Sequence, residues 1–152
     1  CLLEIDVRER RSGIPKWLET YDLPLHMKQQ THDYHWTCHA ATCIERKTWA
    51  DLLASMSQKE TKLGKRINKV VRQLMEAQVD GQPWLLVEGD RDDDALGRVN
   101  GTLWRASAVD AFLRRLRTRG VQVEYSRGPA HTAEIIADLF RLSHEASRAW
   151  PL

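Results

Sequence analysis

The residues with the clearest chemical potential lie in Ile44-Glu45-Arg46-Lys47-Thr48-Trp49-Ala50-Asp51, where charged groups of opposite sign sit among apolar neighbours. If Thr42, Cys43 and Ile44 lead in as a strand, period-two alternation puts Glu45 and Lys47 on one face and Arg46 on the other. A carboxylate beside an ammonium suits metal-assisted phosphodiester chemistry. Glu-x-Lys is common by chance, however, and needs a second acid. Asp33 supplies it: an antiparallel hairpin turning near His39 sets Asp33 directly across from Glu45. Like charges facing each other destabilise a strand pair unless a cation lies between them, and a divalent metal would serve. Upstream, Cys1-Leu2-Leu3-Glu4-Ile5 reads as a buried strand that brings Asp6-Val7-Arg8-Glu9, with two more carboxylates, to its end.

Taken in order, Ile5-Asp6-Val7-Arg8-Glu9-Arg10-Arg11-Ser12, then Asp33-Tyr34, then Glu45-Arg46-Lys47 with Asp51 and Leu52, resemble the nuclease domain of the XPF family of structure-specific endonucleases. That family's signature is Gly-Asp, a variable gap, then Glu-Arg-Lys-x-x-x-Asp. The stretch Pro83-Trp84-Leu85-Leu86-Val87-Glu88-Gly89 is similar to its next core strand. The resemblance implies a restriction-endonuclease-like core and a site built from Lys47, Glu45, Asp33, Arg46, Glu9, Arg8 and Asp51. It implies a divalent cation, Mg²⁺ with Mn²⁺ able to substitute, on oxygen ligands from Asp33, Glu45 and Asp6 and the Arg46 carbonyl. Lys47 would orient or deprotonate the attacking water, and the substrate would be branched or flapped DNA. Pairing with a second chain, as a homodimer or heterodimer, is also implied. The alternative is a catalytically inactive nuclease-fold subunit that binds DNA beside an active partner. Such subunits lose the acids or the lysine, whereas Asp6, Asp33, Glu45, Lys47 and Asp51 all stand here. Two departures matter. His32 occupies the place of the family's Gly, and Ser55 to Lys65 lacks the Asp-Gly-Arg that usually follows, so no DNA contact carries over there.

The elements that must position these groups follow from pattern. At 152 residues the chain is read as a single nuclease domain over 1–152, with one sizeable core; beginning at Cys1, it is also read as a fragment of something longer. A net charge of +2 permits nucleic-acid binding without arguing for it. Three cysteines make a disulfide framework improbable and suggest a reducing compartment. The expected location is therefore intracellular: the nucleus in a eukaryote, the cytoplasm in a prokaryotic or viral setting. No apolar run approaches the ~20 residues of a membrane span, and no signal peptide is visible.

Ser12 is a candidate cap for a helix from Ile14 through Leu18, with Pro15 in its first turn. Leu23 to Gln30 reads as a strand and Tyr34 to Cys43 as the hairpin. His32, His35, Cys38, His39 and Cys43 invite a zinc reading, but the spacing fits no recognised finger and alternation sends His35 and Cys38 to opposite faces. Ordinary hairpin side chains are the expectation.

From Thr48 the pattern turns helical through Trp49, Leu52, Leu53 and Met56, pauses, and resumes from Glu60 to Gln78. In the second part Leu63, Ile67, Val70, Val71 and Leu74 make an apolar stripe, and Lys62, Lys65, Arg66, Lys69 and Arg72 gather on the opposing arc. A basic outer face is usually just solvated; behind a nuclease-like motif it is also placed to meet phosphates. Trp84 to Val87 reads as a buried strand. The acids Asp90, Asp92 and Asp94 lack the Gly and Glu of a calcium loop, so an exposed loop to Gly101 is expected. Ser107 with Asp110 resembles a capping pair for a helix ending at Gly120. Val121 to Tyr125 is the next strand, and Thr132 starts the last helix. Phe112, Leu116, Ile135, Ile136, Leu139 and Phe140 give the C-terminal helices an apolar face that is a candidate pairing surface. Strands alternating with helices, plus one hairpin, make an α/β fold with a mixed central β-sheet flanked by helices.

Overall fold

The computed structural model describes residues 1–62 and 65–149, and their side chains except at 59–62, 65–67 and 146–149. Its main strands are β1 (Leu3–Asp6), β2 (Leu25–Lys28), β3 (Tyr34–Trp36), β4 (Thr42–Thr48), β7 (Gln82–Glu88) and β8 (Gln122–Ser126); Lys59–Lys62 and Lys65–Asn68 are β5 and β6. The six main strands form one mixed sheet in the order β2-β1-β3-β4-β7-β8. The pairs β1–β2, β4–β7 and β7–β8 are parallel, and β1–β3 and β3–β4 antiparallel. Helices α2 (Trp49–Met56), α3 (Lys69–Asp80) and α4 (Ala106–Thr118) cover one face, while α1 (Ile14–Glu19) and α5 (Pro129–Ala149) cover the other.

The two faces make two cores, as parallel strands buried on both sides require. Leu52, Leu74, Leu85, Val87 and Leu113 belong to the first, and Leu3, Ile5, Tyr34, Ile44, Leu86 and Ile136 to the second. Burying each such aliphatic side chain contributes roughly 1.5–3 kcal/mol. Leu116, Ile136 and Phe140 are taken up in these cores. Phe112, Ile135 and Leu139 are packed against them but only partly buried, so the candidate pairing surface is narrower than the sequence suggests.

The chain turns where its local chemistry directs. Gly13, at φ 77°, takes the left-handed conformation between a 3₁₀ turn over Val7–Ser12 and α1. Ser12 still contributes, because its Oγ accepts from the Ile14 N–H at 3.2 Å. At Gly81 the backbone passes so close to Ala41 that a Cβ would stand 2.6 Å from the Ala41 carbonyl oxygen. That close approach brings the start of β7 against β4.

Three helix boundaries differ from the sequence reading. Glu60 to Lys62 and Lys65 to Asn68 are not helix, because β5 and β6 pair there as antiparallel strands; Leu63, which the sequence reading places in the helix, lies outside the described residues. The break lies at Asn68, whose Oδ1 accepts from the Val70 and Val71 N–H groups and caps α3. Its Nδ2 donates to the Ser55 and Met56 carbonyls, tying the end of α2 to the start of α3. Helix α4 starts at Ala106 without a side-chain cap, so Ser107 is already inside it, and Asp110 instead accepts from Arg91 Nη1 at 2.6 Å. Helix α5 starts at Pro129, three residues before Thr132: the Thr132 N–H already donates to the Gly128 carbonyl at 2.9 Å, Pro129 suits the first helical position, and the Thr132 hydroxyl donates to Glu88 at 2.7 Å rather than capping.

The cysteine expectation is also corrected. Cys1 and Cys38 are joined as a disulfide, with Cα atoms 5.7 Å apart. The register that pairs Glu4 with His35 and Ile5 with Tyr34 runs on to bring residue 1 opposite residue 38. Among the described residues, no helix is long and apolar enough to cross a membrane.

Candidate active site

The register of the central hairpin decides which acids meet. Tyr34 pairs with Ile44, His35 with Cys43 and Trp36 with Thr42, around a turn where His39 has φ 58°. Continued one residue, this register sets Asp33 opposite Glu45. The Asp6 N–H donates to the Asp33 carbonyl at 2.9 Å, placing Asp6 opposite Asp33 on the next strand. Asp6, Asp33 and Glu45 therefore cross three neighbouring strands at one level. A cleft of about 410 Å³ opens here, lined among others by Arg8, Gln30 and Glu45 and, from α3, by Arg72, Gln73 and Glu76.

Each acid is held differently. Asp6 is fully buried and already paired: its carboxylate accepts from Arg8 Nε and Nη2, both at 2.9 Å, and from the Arg8 and Gln30 N–H groups. The Arg8 hydrogen bonds hold it below the usual carboxylate range. Asp33 Oδ2 accepts from the Arg46 N–H at 2.8 Å. Burial first, and then the charges of Glu45 and Glu9, nevertheless push its pKa up to about 8. Glu45 is buried, with Oε1 3.8 Å from His32 Nδ1. Among the described residues the three acids do not draw together as a metal set within 4.8 Å. Like charges repel, and Arg8 has taken the Asp6 oxygens.

Arg46 points the opposite way, as alternation requires. Its Nε donates to Glu9 Oε2 at 2.9 Å and its Nη1 to Glu88 Oε1 at 3.3 Å. The Tyr34 hydroxyl also donates to Glu9 Oε2, at 2.6 Å. Glu88 Oε2 accepts from Thr132. Arg46 and Glu9 thus brace the far side of the sheet while the Arg46 amide aims Asp33. Lys47 shares the face of Glu45 and, among the described residues, its side chain makes no hydrogen bond or ion pair. Asp51 lies apart, exposed in the first turn of α2, where its N–H donates to the capping Thr48 hydroxyl at 3.2 Å. There a carboxylate complements the helix dipole.

The basic arc divides. Lys62 ends β5, Lys65 and Arg66 open β6, and their side chains lie outside the described residues. Lys69 starts α3, and Arg72 pairs with Glu76 at 3.0 Å while lining the cleft. Gln73 and Glu76 join the cleft without belonging to any motif; their signal is the helical spacing that puts 72, 73 and 76 on one face. In the sequence His32 stands out as a departure from the family pattern and as one of the hairpin residues that invite a zinc reading. It fills the space beside Glu45, with Nε2 2.8 Å from Asp80 Oδ2. The Cys43 sulfur, Glu45 and Asp80 push its pKa up to about 11 against the opposing effect of burial.

The sheet order, the parallel crossovers and the acids at one level on β1, β3 and β4 define a mixed α/β core with a carboxylate cluster on one face. The ERCC4 domain family model matches residues 5–139, and the chain belongs to that family. Among solved structures it is similar to XPF from Aeropyrum pernix, with 23% identity, a TM-score of 0.72, and coverage of 99% of this chain and 70% of that one. A second structure, XPF from Aeropyrum pernix in complex with DNA, gives 24% identity, a TM-score of 0.74, and coverage of 95% and 66%. Comparison with curated proteins returns no match.

Proposed function

We propose that this chain is a divalent-metal-dependent endonuclease that cleaves phosphodiester bonds in branched or flapped DNA. The observation that carries the reading is the Asp33–Glu45 pair. Two carboxylates face each other on a buried sheet, and one is pushed toward neutrality by burial and by the other, with the uncommitted Lys47 on the same face. A hard divalent cation relieves that repulsion, so the donor set fits Mg²⁺, with Mn²⁺ as substitute. When bound, such a cation supplies Lewis acidity and hydroxide near neutral pH. Asp33 and Glu45 would hold it. Asp6, shared with Arg8, would join only by giving up those hydrogen bonds.

Lys47 then orients or deprotonates the attacking water and offsets charge on the phosphate. Arg46 fixes the aim of Asp33 through its amide, and Glu9 and Glu88 fix Arg46. DNA binding is supported by the solved XPF complex with DNA, and the branched substrate by family membership. Pairing with a second chain belongs to the same reading, through α4, where Phe112 lines an apolar groove with Met75, Val79 and Trp104.

The test is cleavage of 3′-flap, 5′-flap and duplex DNA in Mg²⁺ and after chelation. Flap cleavage that stops on chelation supports the proposal. Cleavage that survives chelation contradicts the metal reading, and no cleavage of any substrate leaves the DNA-binding, inactive subunit.

A further inference from the structure

The hairpin histidines and cysteines separate into two groups, and one of them gains ligands from far along the chain. His32, His35 and Cys43 lie near Glu45. Cys38 lies at the other end of the sheet beside Cys1, which precedes β1, and His144, which projects from α5. One ligand atom from each of Cys1, Cys38 and His144 lies within 4.8 Å of the others, the one such set among the described residues. Cys38 Sγ stands 3.7 Å from His144 Nε2. His144 Nδ1 is 2.8 Å from the Phe140 carbonyl oxygen. A carbonyl only accepts, so Nδ1 carries a proton, and Nε2, the ring atom facing the sulfurs, is the one a metal would use. That outer hydrogen bond is the one that orients a metal-binding imidazole.

We propose that, when the Cys1–Cys38 disulfide is reduced, Cys1, Cys38 and His144 form a zinc site that staples α5 to the paired ends of β1 and β3, inside the sheet. The sulfur–nitrogen separation already suits the metal, while the two sulfurs, bonded to each other here, must part on reduction to share it. Zn–S near 2.3 Å and Zn–N near 2.0 Å hold sulfur and nitrogen about 3.6 Å apart in a tetrahedron, close to the 3.7 Å between Cys38 Sγ and His144 Nε2. Two thiolates and a neutral imidazole are soft-to-borderline donors that select zinc over Mg²⁺. The site is therefore chemically distinct from the carboxylate cleft. His39, at the hairpin turn, flanks it with its ring centroid 5.2 Å from that of His144.

The two states exclude each other and balance. An external dithiol gives two electrons and two protons to the Cys1–Cys38 bond and leaves as its own disulfide. Zinc then binds the two thiols with release of two protons. Under oxidising conditions the disulfide ties the same two strand ends together, with Cys38 in contact with His144 but no bond made to α5 through a metal.

The experiment is cobalt titration of the metal-free chain, anaerobically, before and after reduction. Thiolate–Co²⁺ charge-transfer absorption reads sulfur ligation and ignores carboxylate sites. One equivalent per chain is expected after reduction, none before, with displacement by Zn²⁺ and a zinc-dependent rise in melting temperature. Cys38→Ser abolishes the band, His144→Ala weakens binding at least tenfold, and Cys43→Ser leaves it unchanged. Circular dichroism of each variant checks that it is folded, and the melting-temperature shift of the unmutated chain stands if one is not. No band after reduction, or a band that survives Cys38→Ser or disappears with Cys43→Ser, overturns the site.

Discussion

The two faces of β4 treat charge in opposite ways. On one, Arg46 is enclosed by Glu9 and Glu88, and those acids are further bonded by Tyr34 and Thr132. Every partner comes from the chain itself. On the other, Asp33 and Glu45 repel, Asp33 is held near neutrality, and Lys47 is uncommitted one residue from the most tightly held side chain of the site. Adjacent residues on one strand thus do different work. The even face is a completed network that holds the strand in place. The odd face is only partly balanced: His32, its pKa pushed up to about 11, stands 3.8 Å from Glu45, yet Asp33 keeps its raised pKa, and an external cation between the two acids would complete the pairing.

The contrast is sharpest at Arg46 and Lys47. Arg46→Ala leaves Glu9 and Glu88 buried without their cation, and breaking such a pair costs about 3–5 kcal/mol. Denaturant unfolding should show that loss, whereas Lys47→Ala should lie within about 0.5 kcal/mol of the unmutated chain. Equal losses for the two would erase the distinction.

The roles reverse for chemistry. Lys47→Ala should lower the single-turnover cleavage rate by about a hundredfold or more, in the range of proton-transfer groups, with DNA affinity little changed. Rate and affinity falling together would make Lys47 a binding residue.

A more modest effect is expected from reversing Lys62, Lys65 and Lys69 to Glu. Phosphate recognition of this kind reads charge and not sequence, so affinity should fall for every substrate shape. The salt dependence should flatten by roughly 0.9 in log–log slope for each phosphate that is no longer neutralised. Unchanged affinity at low salt returns β5, β6 and the first turn of α3 to plain solvated surface.

The smallest effect is on stability without metal. Asp33 titrates near 8 in the folded chain, against about 4 when unfolded. Between those values the folded state keeps a proton that the unfolded state has shed. Its contribution is therefore complete below about pH 4 and is lost as pH rises through about 8. Asp33→Asn should flatten that decline and match or exceed the stability of the unmutated chain near pH 8. A variant less stable there contradicts the repulsion.

Much of this site is legible in the sequence because it depends on strand alternation. The opposite facing of Glu45 and Arg46 follows from period two, and the register that meets Asp33 with Glu45 follows once the hairpin turns near His39, as it does. The strands at 59–62 and 65–68 are not legible, since Leu63, Ile67, Val70 and Leu74 keep a helical spacing in the sequence and only the Asn68 cap marks the break. Glu88 is visible as a strand end but not as a partner of Arg46, because the register of two parallel strands so far apart in the chain has no local signal. The Cys1–Cys38 pair is hidden for a related reason: it depends on β1 lying beside β3, a matter of sheet order.

The central claim is that the odd face of β4 awaits a divalent cation, and titration calorimetry of Mg²⁺ and Mn²⁺ into the metal-free chain tests it most directly. Saturable binding that releases protons near pH 7, from a folded state in which Asp33 is largely protonated, is predicted. Asp33→Asn and Glu45→Gln should each abolish both this binding and cleavage, while Asp51→Asn should leave the binding intact. Unmutated protein that takes up neither metal, or an Asp33→Asn variant that binds as well as the unmutated chain, would contradict the account.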